Sequence, residues 1–232
     1  MATDSSSRRP TFLADHFDTA EQQADAAKLG MWVFLGQEIL FFAGLFVAYG
    51  VFRSWHPDVF SAASHALSKP MGTANTVVLL FSSLTAALAV RAAQRGARHQ
   101  TTALLLVTIA CALAFLVVKY FEYQHKFHTG LLPGQWFGVP RTFPGGAVMQ
   151  RGEAAPALPA GAGAFFSLYF VMTGVHALHI IVGIGVLTWI LIRNLRGQFS
   201  AEFFTPVDNV ALYWHLVDLV WIYLFPLLYL ID

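Results

Sequence analysis

Five stretches of this chain stay apolar for about 20 residues, the length at which a helix crosses the hydrocarbon of a bilayer. They cover residues 31–52, 73–90, 102–120, 164–192 and 210–231. None shows the one-sided polar stripe of a helix lying on a soluble core. Runs rich in Phe, Leu and Ala in lipid must be helices, because only a helix pairs its own backbone groups there. The pattern therefore predicts an all-α polytopic membrane protein with five transmembrane helices. The fourth run is long and uncharged, so it is expected to tilt or to begin before the membrane.

The segments between the runs set the organisation. Residues 1–30 are polar, carry both charge signs and hold no apolar core, so no cleavable export signal is expected. Within them Thr19-Ala-Glu-Gln22 fits a capping box opening a short interfacial helix through Lys28. This gives a cytoplasmic N-terminal segment, 1–30, and a five-helix transmembrane domain, 31–232. The connection 124–163 is rich in Pro and Gly, as in Pro133-Gly134 and Pro144-Gly145-Gly146, and is expected to be an external loop. Pro226 is the one proline inside a run. Arg8, Arg9, Lys28, Arg91, Arg95, Arg98, Arg193 and Arg196 fall on one side, in short dense loops. Those on the other side, Arg53, Lys69, Lys119, Lys126, Arg141 and Arg151, are spread over longer connections. The dense side is expected to be cytoplasmic, with the C-terminus outside.

Composition narrows the class. Hydrophobic residues make up 56% and charged residues 12% of the chain, with 21 Phe, the profile of a multi-span membrane protein. A formal net charge of +1 gives no reason to expect nucleic acid as a partner. The single cysteine, Cys111, lies within an apolar run; it excludes an intrachain disulfide and the thiolate sets of iron–sulfur or paired-copper centres. A transporter is a poor fit, since no internal repeat and few helix breaks are apparent.

Against this background the ionisable residues inside the runs stand out. An acid at membrane depth costs several kcal/mol unless water or a partner receives it, so such groups mark function or helix contacts. Asp218, in Tyr213-Trp-His-Leu-Val-Asp-Leu-Val-Trp221, has His215 three residues back on the same face. At 1.5 Å per residue, Glu38 and Asp218 both lie about 12 Å from the cytoplasmic side, His215 about 8 Å and His179 about 20 Å. Glu38, His179, His215 and Asp218 are thus expected near one level, with His176 one turn deeper. Glu122 ends the third run near the outer interface, with Lys119 and His125 three residues away on either side. Three readings stay open: hydrogen bonds that lock helices together, a proton relay, and metal ligation. Glu122-x-x-His125 has the spacing of di-iron bundles, but those need a second copy and two more Glu. His176, His179 or His215 could in principle be haem ligands.

Several stretches also resemble one family. Leu29-Gly-Met-Trp-Val-Phe-Leu-Gly-Gln-Glu-Ile-Leu-Phe-Phe-Ala-Gly-Leu-Phe, Asn75-Thr-Val-Val-Leu-Leu with Ser82-Ser83, and Lys119-Tyr-Phe-Glu-Tyr are similar to successive helices of cytochrome c oxidase subunit III. Thr173-Gly-Val-His-Ala-Leu-His and the Tyr213–Trp221 motif continue the match in order, from about His16 to the C-terminus. The resemblance implies a non-catalytic core subunit of a haem–copper terminal oxidase in aerobic respiration, with no catalytic residue, metal or cofactor of its own. Haem and copper would lie in partner subunits I and II, cytochrome c or quinol would supply electrons through the complex, and phospholipid would be held in a cleft. Glu38 would be the family's buried carboxylate, and Glu122, His176, His179, His215 and Asp218 its polar helix positions, serving proton uptake or the lipid cleft. The long form of the family has seven helices, and this chain lacks the first two. A bacterial plasma membrane is the expected location. The alternatives are subunit III of a quinol oxidase, an accessory subunit of a nitric oxide reductase, and, from a different class, a metal-binding membrane enzyme.

Overall fold

A computed structural model describes residues 12–132 and 158–231, and every regular element among them is a helix. In chain order these are α1 (Ala20–Trp55), α2 (Pro57–Ser64), α3 (Lys69–Gln94), α4 (Arg98–His128), α5 (Ala162–Leu195) and α6 (Thr205–Tyr229). Five of them, all but α2, are long and apolar enough to cross a membrane. Four of the apolar runs sit inside one helix each, which overruns them; the fifth, 210–231, starts inside α6 and passes its end at Tyr229 by two residues.

The N-terminal cap is present, with the Gln22 N–H donating to Thr19 Oγ1 at 3.1 Å. The Gln22 side chain reaches past Thr19 and accepts the Asp18 N–H at 2.9 Å. The helix opened there does not stop at Lys28, as the capping motif suggested; it runs unbroken to Trp55. Only Leu29 and Gly30 separate Lys28 from the apolar run, and one glycine costs a helix about 1 kcal/mol, too little to end it. Pro57 does end it: the residue before a proline is driven out of the helical region, and His56 sits at φ −137°. Pro57 then starts α2, an element too short to stand out as a span. α4 continues eight residues beyond the expected end at 120, so the connection to α5 is helical as far as His128; residues 133–157 of it lie outside the described residues. At the opposite end α3 and α5 stop alike. Gly96 and Gly197 take positive φ, and the N–H groups of Ala97 and Gln198 reach back to the carbonyls of Ala92 and Arg193, the paired closure that needs a glycine.

Helices α3, α4, α5 and α6 form a ring in which each packs on its two neighbours. Buried Ala86, Ala89, Ala93 and Ala112 let α3 and α4 approach closely. Trp214 and Trp221 fill the interior, and a Cβ on Gly183 would lie 2.7 Å from the Trp214 ring. α1 lies outside the ring, against α6 and more lightly α5, and buries 11% of its most apolar stretch where α6 buries 50%. Leu29, Trp32, Val33, Leu40 and Val47 point away from the protein, the distribution expected where lipid or another subunit is the solvent.

Candidate functional site: polar groups inside the bundle

The polar residues fall into three places, set by which face of each helix they occupy. Glu38 is the only acid of the apolar part of α1 and faces α5, where its Oε2 meets His179 Nε2 at 3.0 Å. Both side chains are largely covered, at 13% and 18% exposure. His179 Nδ1 lies 2.8 Å from the Val175 carbonyl, which can only accept, so Nδ1 carries a hydrogen. The Nε2–Oε2 contact then needs one more proton, carried either by the imidazole or by the carboxyl. Glu38 and His179 therefore hold a single shared proton between α1 and the ring, with no net charge in either form. Tyr213 on α6 donates to the His179 carbonyl at 2.9 Å, tying the same level to a third helix.

His215 and Asp218 face the other way, into α3. Ser83 Oγ and His215 Nδ1 are 2.7 Å apart, and a cavity of about 290 Å³ lined by Arg91, Asp208 and His215 opens beside them. Asp218 is 2% exposed, and neither carboxylate oxygen makes a hydrogen bond among the described residues. The hydroxyls of Ser82 and Ser83 lie beside it. Ser82 donates to the Leu79 carbonyl at 2.8 Å and accepts from Trp214 Nε1 at 3.0 Å. Glu38 and His179 thus meet while His215 and Asp218 face a different helix; depth counting says nothing of direction around the helix.

Glu122 lies in the third place, at the α2 end of the ring, and is 2% exposed. Its Oε2 accepts from Lys119 at 2.8 Å, and its Oε1 from Lys126 at 3.2 Å and from the Tyr229 hydroxyl at 2.6 Å. Lys119 also donates to Tyr169 and Tyr229, at 3.2 and 2.9 Å, and its ammonium faces the Trp221 ring at 4.8 Å. His125, the other half of the Glu-x-x-His spacing, is exposed on the surface. Along the sequence Lys126 counts only as one of the basic residues on the outer side, and Tyr169 and Tyr229 are not singled out. The i, i+4 spacing of Glu122 and Lys126 was the available signal for the first; nothing along the chain announces the two tyrosines from α5 and α6.

His176 is fully buried between Phe115 and Trp221, at ring separations of 5.5 and 5.2 Å, with both nitrogens unbonded among the described residues. It does not converge with His179. No three His, Cys, Asp or Glu side chains come together as metal ligands would among the described residues.

Comparison with known proteins gives this architecture its context. The family model for cytochrome c oxidase subunit III matches residues 5–130 and 147–232. A cytochrome c oxidase subunit 3 of Corynebacterium diphtheriae is 30% identical over 221 residues, covering 92% of each chain. A quinol oxidase subunit 3 of Bacillus spizizenii is 28% identical over 224 residues, 91% of this chain and 92% of its own. A heme-copper oxidase subunit I+III of Aeropyrum pernix is 30% identical over 221 residues, which are 89% of this chain and 23% of that longer one. Five spans in this order and a family match over nearly the whole length settle the assignment: the chain belongs to the cytochrome c oxidase subunit III family of haem–copper oxidases.

Proposed function

We propose that this chain is the non-catalytic third subunit of a proton-pumping oxidase that passes electrons from cytochrome c to oxygen. In this reading it packs on subunit I in a bacterial plasma membrane with its N-terminus in the cytoplasm, holds phospholipid along α1, and supports proton uptake. The observation that carries this reading is the Glu38–His179 contact, a proton-sharing pair at the seam between the lightly held α1 and the ring. A pair that holds one proton in either of two places exchanges it without changing its net charge in a low-dielectric seam. The outward apolar face of α1 supplies a surface for acyl chains or for subunit I. Haem and copper belong, in this reading, to the partner subunits.

Two experiments test the proposal. Purified through a tag on this chain, the complex should contain a haem-bearing subunit I and a subunit II with a cysteine pair for copper; recovery of the chain alone overturns the reading. Glu38→Gln should assemble normally, because its amide N–H can still donate to His179 Nε2, yet lose oxygen consumption faster over many turnovers. Unchanged endurance and proton pumping would return Glu38 to a purely structural role. The similarity to a quinol oxidase subunit supports the second reading, quinol as donor, and a subunit II without the cysteine pair would select it.

A further inference from the structure

Among the described residues the ionic cluster at the α2 end is not balanced. Two ammonium groups, Lys119 and Lys126, share the single carboxylate of Glu122, and all three side chains are at most 4% exposed. The two lysines are not equivalent. An ammonium has three N–H donors. Those of Lys119 find Glu122, Tyr169 and Tyr229. Lys126 has one hydrogen-bond acceptor among the described residues, the Glu122 Oε1 at 3.2 Å, and its remaining polar contact is with the face of the Tyr169 ring at 5.0 Å. A buried cation with spare donors is costly unless something anionic meets it.

The space for that anion adjoins Lys126. A cavity of about 260 Å³ is bounded by Lys126, Glu122 and His125 from α4 and by Ala66, Leu67, Ser68 and Met71 from the α2–α3 turn. At about 30 Å³ per water it holds on the order of nine waters, enough for a phosphate group. Its rim, Met71 and His125, is exposed, so the cavity opens outward. Its lining combines an ammonium, a carboxylate, an imidazole and a hydroxyl with the alkyl groups of Ala66, Leu67 and Met71. It also sits at the end of the membrane-spanning helices, the level at which lipid headgroups lie. We propose that this cavity binds a phosphate group, that of a lipid headgroup, with Lys126 as its counter-ion and the Met71 side as the rest for glycerol and acyl carbons. The excess positive charge of the cluster is then neutralised by the ligand, and lipid binding helps to hold α4 against the α2–α3 turn.

The test uses the complex that copurifies with the full chain, as wild type and as Lys126→Met, Lys126→Arg and Met71→Trp. Met71→Trp narrows the cavity from its exposed rim and leaves all three charged residues in place, so it reports even if Lys126→Met fails to assemble. Bound phosphorus per complex is measured after mild detergent washing, with native mass spectrometry to count phospholipids. Wild type and Lys126→Arg should retain one more phospholipid than Lys126→Met and Met71→Trp. If delipidated wild type is instead stabilised against heat by inorganic phosphate while Lys126→Met and Met71→Trp are not, the site holds and its source is free phosphate. Equal phosphorus in all four proteins with no phosphate-dependent difference in Tm overturns the proposal. So does loss in Lys126→Met with full retention in Met71→Trp, which would place the anion elsewhere.

Discussion

Glu122→Gln is the most informative single change in this chain. The carboxylate receives three hydrogen bonds, from Lys119 at 2.8 Å, Lys126 at 3.2 Å and Tyr229 at 2.6 Å, and is the one anion of its cluster among the described residues. Glutamine keeps the shape but supplies one carbonyl oxygen and an NH2 group that must point at an ammonium, donor against donor. Two buried cations are left facing each other without a counter-charge. Breaking a buried ion pair by removing one partner costs about 3–5 kcal/mol. For a chain of this size about 2–4 °C of Tm goes with each kcal/mol, so a fall of roughly 6–20 °C is expected. Lys126→Met has a smaller consequence: it leaves the neutral Lys119–Glu122 pair and its tyrosines intact, and should cost less than about 2 kcal/mol. Lys119→Met in the Glu122→Gln background should recover part of the loss, because it removes one uncompensated charge. Thermal unfolding of the purified complex, read by tryptophan fluorescence, compares the three. Equal losses for Glu122→Gln and Lys126→Met would refute the charge argument and leave only packing as an explanation.

Asp218→Leu should be neutral or stabilising, because neither carboxylate oxygen makes a hydrogen bond among the described residues and a buried polar group without partners is costly; a Tm fall equivalent to more than about 2 kcal/mol would reveal a bound water or a partner such as the neighbouring serine hydroxyls at that carboxylate. Gly183→Val should cost about 1–3 kcal/mol by overpacking, since even a Cβ would come within 2.7 Å of the Trp214 ring, and near-ultraviolet circular dichroism should show the displaced indole. Gly96→Ala should cost about 1 kcal/mol from its φ of +67°, measurable as a lower Tm with unchanged oxygen consumption. Glu38→Ala should separate α1 from α5 where Glu38→Gln does not, and limited proteolysis near Lys28 should be faster in the alanine variant alone.

Much of the fold was legible because one physical rule dominates it. A bilayer demands long apolar helices, so five uninterrupted runs predict five spans with little competition from other arrangements. Helix ends were less legible. α4 carries its helix through Glu122, Lys126 and His128 because those residues are satisfied inside the protein or at its surface, whereas a hydropathy reading stops at the first charges. The site was legible at the level of residue identity, and its pairings were not. Glu38 with His179 spans 141 positions and Lys119 with Tyr229 spans 110, and periodicity along one helix cannot say which face of another helix it meets. Asp218 shows the limit most plainly. Its sequence neighbours put His215 one turn away, yet His215 bonds to Ser83 and leaves the carboxylate alone.

The placement of polar groups also separates the molecule into two mechanical parts. Inside the ring, Tyr123–Thr173, Thr85–Thr108, Trp214–Ser82 and the Glu122 cluster cross-link all four helices at different levels, with distances between 2.5 and 3.2 Å. α1 is joined to that ring at a few points. Lys28 lies 3.9 Å from Asp208, Asn209 donates to the Ala27 carbonyl at 3.3 Å, Glu38 meets His179, and the Tyr49 hydroxyl donates to the Leu227 carbonyl. Interhelical polar contacts in membranes average well under 1 kcal/mol each, so these few bonds hold α1 only weakly, and the outward apolar face adds nothing unless lipid or protein covers it. α1 is therefore the element whose position depends most on its surroundings. A proton-sharing pair at such a seam responds to that position: separating α1 from α5 leaves the Glu38 carboxyl and the His179 Nε2 without each other as hydrogen-bond partners at a largely covered site. The expected consequence is that hydrogen exchange in α1 slows when the chain is within its complex, while exchange in α3 to α6 changes little; equal protection of α1 in both states would show that the ring alone suffices to hold it.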